Sequence, residues 1–178
     1  MADIIFEEIE CKSALTRIAA SGLPFRWTLN PYRGCQHACT YCFARGTHQH
    51  LGFDAGRDFE SRIVVKVNLP EVLRRDLIRG SWRRELVAIG TACDPYQPAE
   101  LKYGLTHRAL KVMRDCANPV SIVTKSPFIV RDADVLGALS DVADVTVAFS
   151  VSTLDEDVWR RIEPATARPA KRLEAMKA

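Results

Sequence analysis

Clustered cysteines are the side chains of this sequence that could do the most distinctive chemistry. Three of the six cysteines fall within eight residues, in the run Cys35-Gln-His-Ala-Cys39-Thr-Tyr-Cys42. A thiolate is a soft metal ligand, so three thiols on one short loop can converge on a single metal centre. We therefore predict that Cys35, Cys39 and Cys42 form a metal site.

Disulfide bonds are the competing explanation for clustered cysteines, and they are typical of short secreted chains. This chain has 178 residues, enough to bury a core without them, and its first ten residues are acidic where a secretory signal is basic. No apolar run reaches the ~18–20 residues that cross a bilayer. We expect a cytoplasmic protein with reduced thiols and no membrane partner. The net charge of +3 is too small to indicate a nucleic-acid partner.

The number of ligands distinguishes two kinds of metal site. Zinc in a closed structural site takes four protein ligands, and the candidates for the fourth are His37, His48 and His50. An iron–sulfur cubane also normally takes four cysteines. Three cysteines would leave one iron open to bind a small molecule. The spacing alone leaves both possibilities open.

Alternating strands and helices are expected to position this loop. Short segments rich in β-branched residues predict strands at 26–30, 63–67, 86–89, 120–123 and 145–149. Apolar stripes predict helices over 69–78, around Leu101–Cys116, around Val135–Val142 with Asp132 as its cap, and after Asp155. This order is typical of an α/β protein with a parallel sheet. The cysteines then follow the opening strand, at the sheet edge where sites gather.

The cysteine spacing, with Tyr41 just before the last cysteine, resembles the signature of the radical S-adenosylmethionine (SAM) superfamily. The stretches that flank it, and three later ones, resemble the subgroup related to spore photoproduct lyase. These stretches are Asn30–Arg45, Cys93–Glu100, Val123–Ser126 and Phe149–Asp155. They occur in the same order over about residues 24–175, and several motifs in order are more specific than any one of them.

The resemblance implies a [4Fe-4S] cluster on Cys35, Cys39 and Cys42, with SAM chelating the fourth iron. One electron from the reduced cluster then cleaves SAM to methionine and a 5′-deoxyadenosyl radical, which abstracts hydrogen from a substrate. The implied electron donor is a protein such as flavodoxin or ferredoxin. The sequence does not identify the substrate, because resemblance to a family does not determine which substrate a protein uses.

The same resemblance assigns four further residues to SAM. Tyr41 matches the aromatic position near the adenine, and Lys125 has a charge suited to the methionyl carboxylate. Ser150 could bond the carboxylate or the ribose. Asp94 lies where the superfamily binds the methionyl amino group, although it could instead shape a turn before Pro95.

The remaining cysteines and the clustered arginines are expected to have structural roles and not to form a site. We expect Cys11, Cys93 and Cys116 to be buried apolar thiols. A basic set between residues 74 and 84 could contact nucleic-acid phosphates, but most such runs are solvated faces. Its members are Arg74, Arg75, Arg79, Arg83 and Arg84.

The fold class we expect is a partial TIM-like (β/α) barrel of radical SAM type with about four core strands. Residues 1–25 are expected to form an N-terminal extension and residues 26–178 the radical SAM core. No fifth core strand follows the one at 145–149. We therefore expect a core truncated at its C-terminus, with an open edge strand and weakened SAM binding.

Overall fold

Eight β-strands in two sheets organise the computed structural model, which describes residues 3–19 and 22–177. The strands are β1 (Ile5–Ile9), β2 (Leu15–Arg17), β3 (Trp27–Leu29), β4 (Tyr32–Arg33), β5 (Arg62–Lys66), β6 (Val87–Ile89), β7 (Val120–Thr124) and β8 (Val145–Phe149). The α-helices are α1 (Arg57–Ser61), α2 (Leu69–Leu77), α3 (Ala99–Tyr103), α4 (Leu105–Asp115), α5 (Ala133–Ser140), α6 (Glu156–Ile162) and α7 (Pro169–Ala175). Two 3₁₀ segments cover Phe43–Leu51 and Pro127–Asp132.

The larger sheet carries the parallel strands expected from the sequence. Its order is β2-β3-β6-β7-β8, in which β3, β6, β7 and β8 are parallel and β2 runs antiparallel to β3. The predicted helices lie between these strands along the chain, so the α/β class is confirmed. Within the described residues the two sheets share no strand pairing, and the strands do not form a closed barrel.

The main core lies between this sheet and its helices. Leu29, Ile89 and Ile122 of the sheet are buried together with Leu73 of α2 and Leu110 of α4. Strand β6 is buried along its whole length. This explains its continuous apolar run, because a central parallel strand has both faces covered.

The smaller sheet has the order β1-β5-β4, with β1 parallel and β4 antiparallel to β5. Strands β1 and β2 both lie in the segment 1–25 that was expected to be an extension. Each pairs with a strand beyond residue 25, so the described part of that segment belongs to the sheets. Residues 1, 2, 20 and 21 of the segment, and residue 178, lie outside the described residues. The prediction missed β2 because three residues are too few for a periodic pattern.

Two helices replace the single helix predicted around Leu101–Cys116. Gly104 has a left-handed φ of 60° between α3 and α4. The Glu100 carboxylate then accepts hydrogen bonds from the N–H groups of Thr106 (2.9 Å) and His107 (3.2 Å). These bonds satisfy donors that the first turn of α4 leaves without helical partners. In the sequence the apolar spacing continues across Gly104, so its period did not reveal the break, and Leu101 of the predicted stripe is exposed on α3.

Asp132 precedes α5 as predicted, but its side chain makes no capping hydrogen bond. It is buried and accepts hydrogen bonds from the Tyr96 hydroxyl and from Arg131 Nε, both at 2.9 Å. Its Oδ1 also lies 2.9 Å from Nδ1 of His107. Asp132 thus holds the N-cap position as predicted, but its carboxylate joins this buried polar cluster and does not cap the helix.

Candidate functional site

A sharp backbone turn after β4 places the cysteine loop. Gly34 has a φ of +81°, and a Cβ atom there would lie 2.9 Å from both Cε1 of His48 and the carbonyl oxygen of Phe59. Only glycine fits such a position without displacing its neighbours. The N–H of Cys35 donates to the same Phe59 oxygen at 2.8 Å. The first cysteine is therefore fixed against α1.

Most of the predicted site residues line one cavity of about 130 Å³. They are Cys35, Cys39, Cys42, Asp94, Lys125 and Ser150. The cavity lies where the loops after β4, β6, β7 and β8 meet, at the carboxyl edge of the parallel strands. Tyr41 does not line it. Cys93, expected to be a core thiol, is buried but also lines this cavity.

Burial disfavours the thiolate form of three cysteines in the cavity. Burial raises the pKa of Cys35 well above its usual value, and Asp94 adds to the effect. Burial also raises the pKa of Cys39 to about 11, against an opposing effect of Lys125. Burial raises the pKa of Cys93 to about 12. Any metal bound here must therefore displace protons from these thiols.

The histidines considered as fourth zinc ligands lie in different surroundings. Only His37 shares the cavity with the cysteines, and its Nδ1 lies 3.2 Å from Oδ2 of Asp94. His48 is buried with Nε2 2.9 Å from the carbonyl oxygen of Arg62, and His50 is exposed. Within residues 3–19 and 22–177, no three His, Cys, Asp or Glu side chains are arranged to hold a single metal ion.

Asp94 orients the backbone around the cavity. Its carboxylate accepts hydrogen bonds from the N–H groups of Tyr96 (2.9 Å) and Lys125 (2.7 Å) and from the Thr124 hydroxyl (2.7 Å). The bond to Tyr96, two residues on, is an Asx turn. Burial raises the pKa of Asp94, but His37 and these donors more than offset this and lower it below its ordinary value. Asp94 therefore ties the loop after β6 to the end of β7.

Lys125 faces a carboxylate that belongs to the chain itself. Its Nζ lies 2.8 Å from Oε1 of Glu163 and 2.5 Å from the Ser150 hydroxyl. The Tyr41 hydroxyl also donates to Glu163, and it lies 2.8 Å from the Ser152 hydroxyl. Burial lowers the pKa of Lys125, but Glu163 and Tyr41 outweigh it and raise the pKa overall. Tyr41 and Lys125 are thus joined through Glu163, and Ser150 is joined to them through Lys125.

Glu163 and Arg172 are the site residues that sequence reasoning missed. Both are buried, and Nη2 of Arg172 lies 2.6 Å from Oε2 of Glu163. Arg172 also donates to the carbonyl oxygen of Ser150 at 2.8 Å, which holds the end of β8. Both residues lie in a polar stretch of the sequence without a motif, so no pattern distinguished them from surface charges.

The basic set between residues 74 and 84 bonds largely to the chain itself. Nη2 of Arg74 lies 2.5 Å from Asp115, and Nη2 of Arg79 lies 3.3 Å from Asp76. Arg75 donates to the carbonyl oxygen of Lys12 at 2.6 Å. These contacts favour the interpretation as a solvated face.

The fold and the site together define an α/β protein with a thiol-rich cavity at the carboxyl edge of its parallel strands. Residues 29–178 match the family model of the Radical SAM superfamily, and the chain belongs to this superfamily. Its members typically use a [4Fe-4S] cluster and SAM, and membership indicates an enzyme.

The similar proteins are described as uncharacterized proteins. Proteins of Mycobacterium bovis and Mycobacterium tuberculosis are 46% identical over 171 residues, covering 96% of this chain and 50% of each relative. A protein of Methanocaldococcus jannaschii is 30% identical over 152 residues, covering 85% of this chain and 54% of the relative. The chain thus spans about half the length of these relatives. No solved structure matches it.

No helix among the described residues combines the length and the apolar character needed to cross a bilayer.

Proposed function

We propose that the chain contains the cofactor site of a radical SAM enzyme, with a [4Fe-4S] cluster on Cys35, Cys39 and Cys42. The observation that carries this proposal is that the three thiols line one cavity together with Lys125 and Ser150. The flanking motifs favour the subgroup related to spore photoproduct lyase, with a flavodoxin or ferredoxin as electron donor.

The residues present fit such a cluster. Three thiols are soft ligands suited to iron, and they leave one iron free to bind SAM. The N–H of Asp94 points at Sγ of Cys35 at 3.5 Å. Hydrogen bonds of this kind to ligating sulfurs tune the reduction potential of a cluster. The positive charge of Lys125 favours the thiolate form of Cys39.

When bound, the cluster and SAM supply a one-electron cleavage of SAM that starts hydrogen abstraction. The residues of the chain bind and orient these two cofactors. We assign Lys125 and Ser150 to the methionyl carboxylate of SAM. Lys125 would then contact both this carboxylate and that of Glu163. Asp94 acts as a positioning residue, because its carboxylate holds the loop after β6. Tyr41 does not line the cavity. We assign it to the adenine of SAM, which it would contact from the edge of the cysteine loop.

Anaerobic reconstitution with iron and sulfide tests the proposal. We expect the wild-type protein and Cys116→Ala to turn brown and to bind about four irons, and Cys35→Ala to lose the cluster. Cys116 is a matched control because it lies away from the cavity. With dithionite and SAM, the wild type should form 5′-deoxyadenosine and Cys35→Ala should not. A colourless protein that carries stoichiometric zinc would contradict the proposal.

Substitution of Cys93 tests whether three or four thiols hold the cluster. If three suffice, Cys93→Ala retains the iron, and its reduced electron paramagnetic resonance signal still changes when SAM is added. Loss of the cluster in Cys93→Ala would show a closed four-cysteine site and exclude an iron open to SAM.

A further inference from the structure

A second, larger cleft adjoins the cysteine cavity. It has a volume of about 870 Å³, within the roughly 300–1,000 Å³ of pockets that hold drug-sized ligands. The residues that line both spaces come from the cysteine loop, the stretch after β6 and β7, and they are Phe43, Gly90, Thr91, Ala92 and Val123. A molecule in the cleft would lie directly beside the proposed cofactor site.

The lining of this cleft combines apolar surface with positive charge. Ile18, Leu23 and Phe25 supply apolar side chains, while Lys66 and Arg33 supply cations. Among the described residues that line it, none is an aspartate or a glutamate. Apolar pockets with a few convergent polar groups are typical of ligand sites, and the polar groups determine which ligands bind.

Lys66 and Arg33 lack the carboxylate partners that other cations of the molecule have. Within residues 3–19 and 22–177, neither side chain forms an ion pair or a hydrogen bond. By contrast Arg62, on the same strand β5 as Lys66, lies against Glu7 and Asp58. Burial lowers the pKa of Lys66 and Arg33 lowers it further, against an opposing effect of Cys93. Lys66 is half-buried, whereas Arg33 is exposed. The missing counter-charge is therefore costly at Lys66 unless an anion binds beside it.

We infer that this cleft binds a substrate with an apolar body and an anionic group, a phosphate or a carboxylate, which Lys66 and Arg33 hold. The inference rests on the proposed function, because the cleft is the substrate site only if the cofactor binds next to it. Lysine binds phosphate as a point charge, and arginine binds both groups through paired N–H donors. The apolar lining then holds the rest of the molecule beside the shared wall.

Small aromatic probes test the anion requirement. Phenyl phosphate, benzoate and the neutral benzyl alcohol are titrated into the protein, and binding is followed by nuclear magnetic resonance. We expect both anions to bind at least about tenfold tighter than benzyl alcohol, since a hydrogen bond to a charged group contributes about 1.5–3 kcal/mol. The tighter of the two anions identifies the substrate group. Equal affinity for all three probes would overturn the inference.

Two substitutions locate the anion, and a third serves as the control. Lys66→Met and Arg33→Met should each weaken phenyl phosphate binding at least about tenfold and leave benzyl alcohol unchanged. Lys111→Met is the matched control, because Lys111 is exposed on α4 and lines neither space. Circular dichroism melting checks that each variant is folded. Unchanged phenyl phosphate binding in both folded variants would overturn the inference.

The cleft and the cofactor site are tested separately. Phenyl phosphate should bind the cluster-loaded protein equally well with and without SAM. Competition by SAM would overturn the inference, because the cations would then belong to the SAM site. Failure of anion binding with intact SAM cleavage refutes only the cleft assignment. Intact anion binding without SAM cleavage refutes the proposed function.

Discussion

The buried carboxylate of Glu163 organises the residues around the candidate site. Glu163 accepts contacts from Lys125, Tyr41, Ser152 and Arg172, which come from four different segments of the chain. Removing one partner of a buried ion pair is costly, because the other charge stays behind without compensation. Glu163 therefore acts as the counter-ion that keeps Lys125 in place.

This role predicts a pH-dependent stability. Burial raises the pKa of Glu163, but its hydrogen bonds outweigh this and lower the pKa from 4.5 to about 2. The ionised group stabilises the fold above the unfolded pKa, and this contribution is lost as the pH falls from about 5 to about 2. We expect Glu163→Gln to lower stability near neutral pH and to reduce the loss on acidification.

Urea denaturation at about pH 7, 5 and 3 measures the effect. The exposed Glu174 of α7 supplies the control, and Glu174→Gln should behave as the wild type at each pH. An identical pH dependence in Glu163→Gln and the wild type would show that this carboxylate is not the source of the acid sensitivity.

The site could be predicted from the sequence only where residue type and spacing carried information. The clustering of Cys35, Cys39 and Cys42 indicated that they share one site. The position of Lys125 directly after an apolar strand indicated that it lies at the sheet edge. Glu163 and Lys66 carried no such signal, because their roles depend on partners that are distant in sequence.

At the scale of elements, the end of β6 is the most sterically constrained position near the site. Gly90 has a φ of +93°, and a Cβ atom there would lie 2.3 Å from the carbonyl oxygen of Val123. Both the backbone conformation and the space therefore require glycine. Because Gly90 lines both the cavity and the cleft, its backbone shapes the wall between them.

Alanine at two glycines should have opposite effects. Gly90→Ala should destabilise the fold by about 2 kcal/mol or more, because it adds strain and a backbone clash. Gly137→Ala, in the exposed part of α5, meets no atom within 4 Å and should stabilise the helix by about 0.5–1 kcal/mol. Urea denaturation measures both. A neutral Gly90→Ala would show that β6 and β7 can separate at this point.

Elements with strong patterns were predicted well, and those defined by tertiary contacts were not. The parallel strands β6, β7 and β8 are apolar and β-branched, so their positions were confirmed within a residue or two. Strand β4 has only two residues and exists because it pairs with β5. Such a pairing leaves no periodic signal in the sequence.

At the scale of the whole molecule, the strands of the larger sheet differ in how far neighbouring strands and side chains cover them. Among the described residues β8 pairs only with β7, and its three central side chains are exposed. A strand with one neighbour leaves alternate N–H groups without strand partners. Strand β6, with partners on both sides and all side chains buried, lies at the other extreme.

Amide hydrogen exchange should follow this order. We expect alternate amides of Val145–Phe149 to exchange at least about tenfold faster than those of Val87–Ile89, because edge amides open without disrupting the core. Mass spectrometry or nuclear magnetic resonance measures the rates, with β6 as the internal reference. Equal protection in the two strands would indicate that a further segment or a partner covers β8.

The bond between the cysteine loop and α6 also has a consequence for biosynthesis. Thr40 donates its N–H to the carbonyl oxygen of Ile162 at 2.9 Å, and Tyr41 reaches Glu163, which is 122 positions further along the chain. At about 5–20 residues per second, a ribosome needs roughly 6–24 s to synthesise that distance. During this time the newly made thiols lack the α6 contacts that complete their loop. They can then be captured by whichever soft metal binds thiolates most tightly. For the proposed cluster, delivery after α6 has folded would meet the completed site.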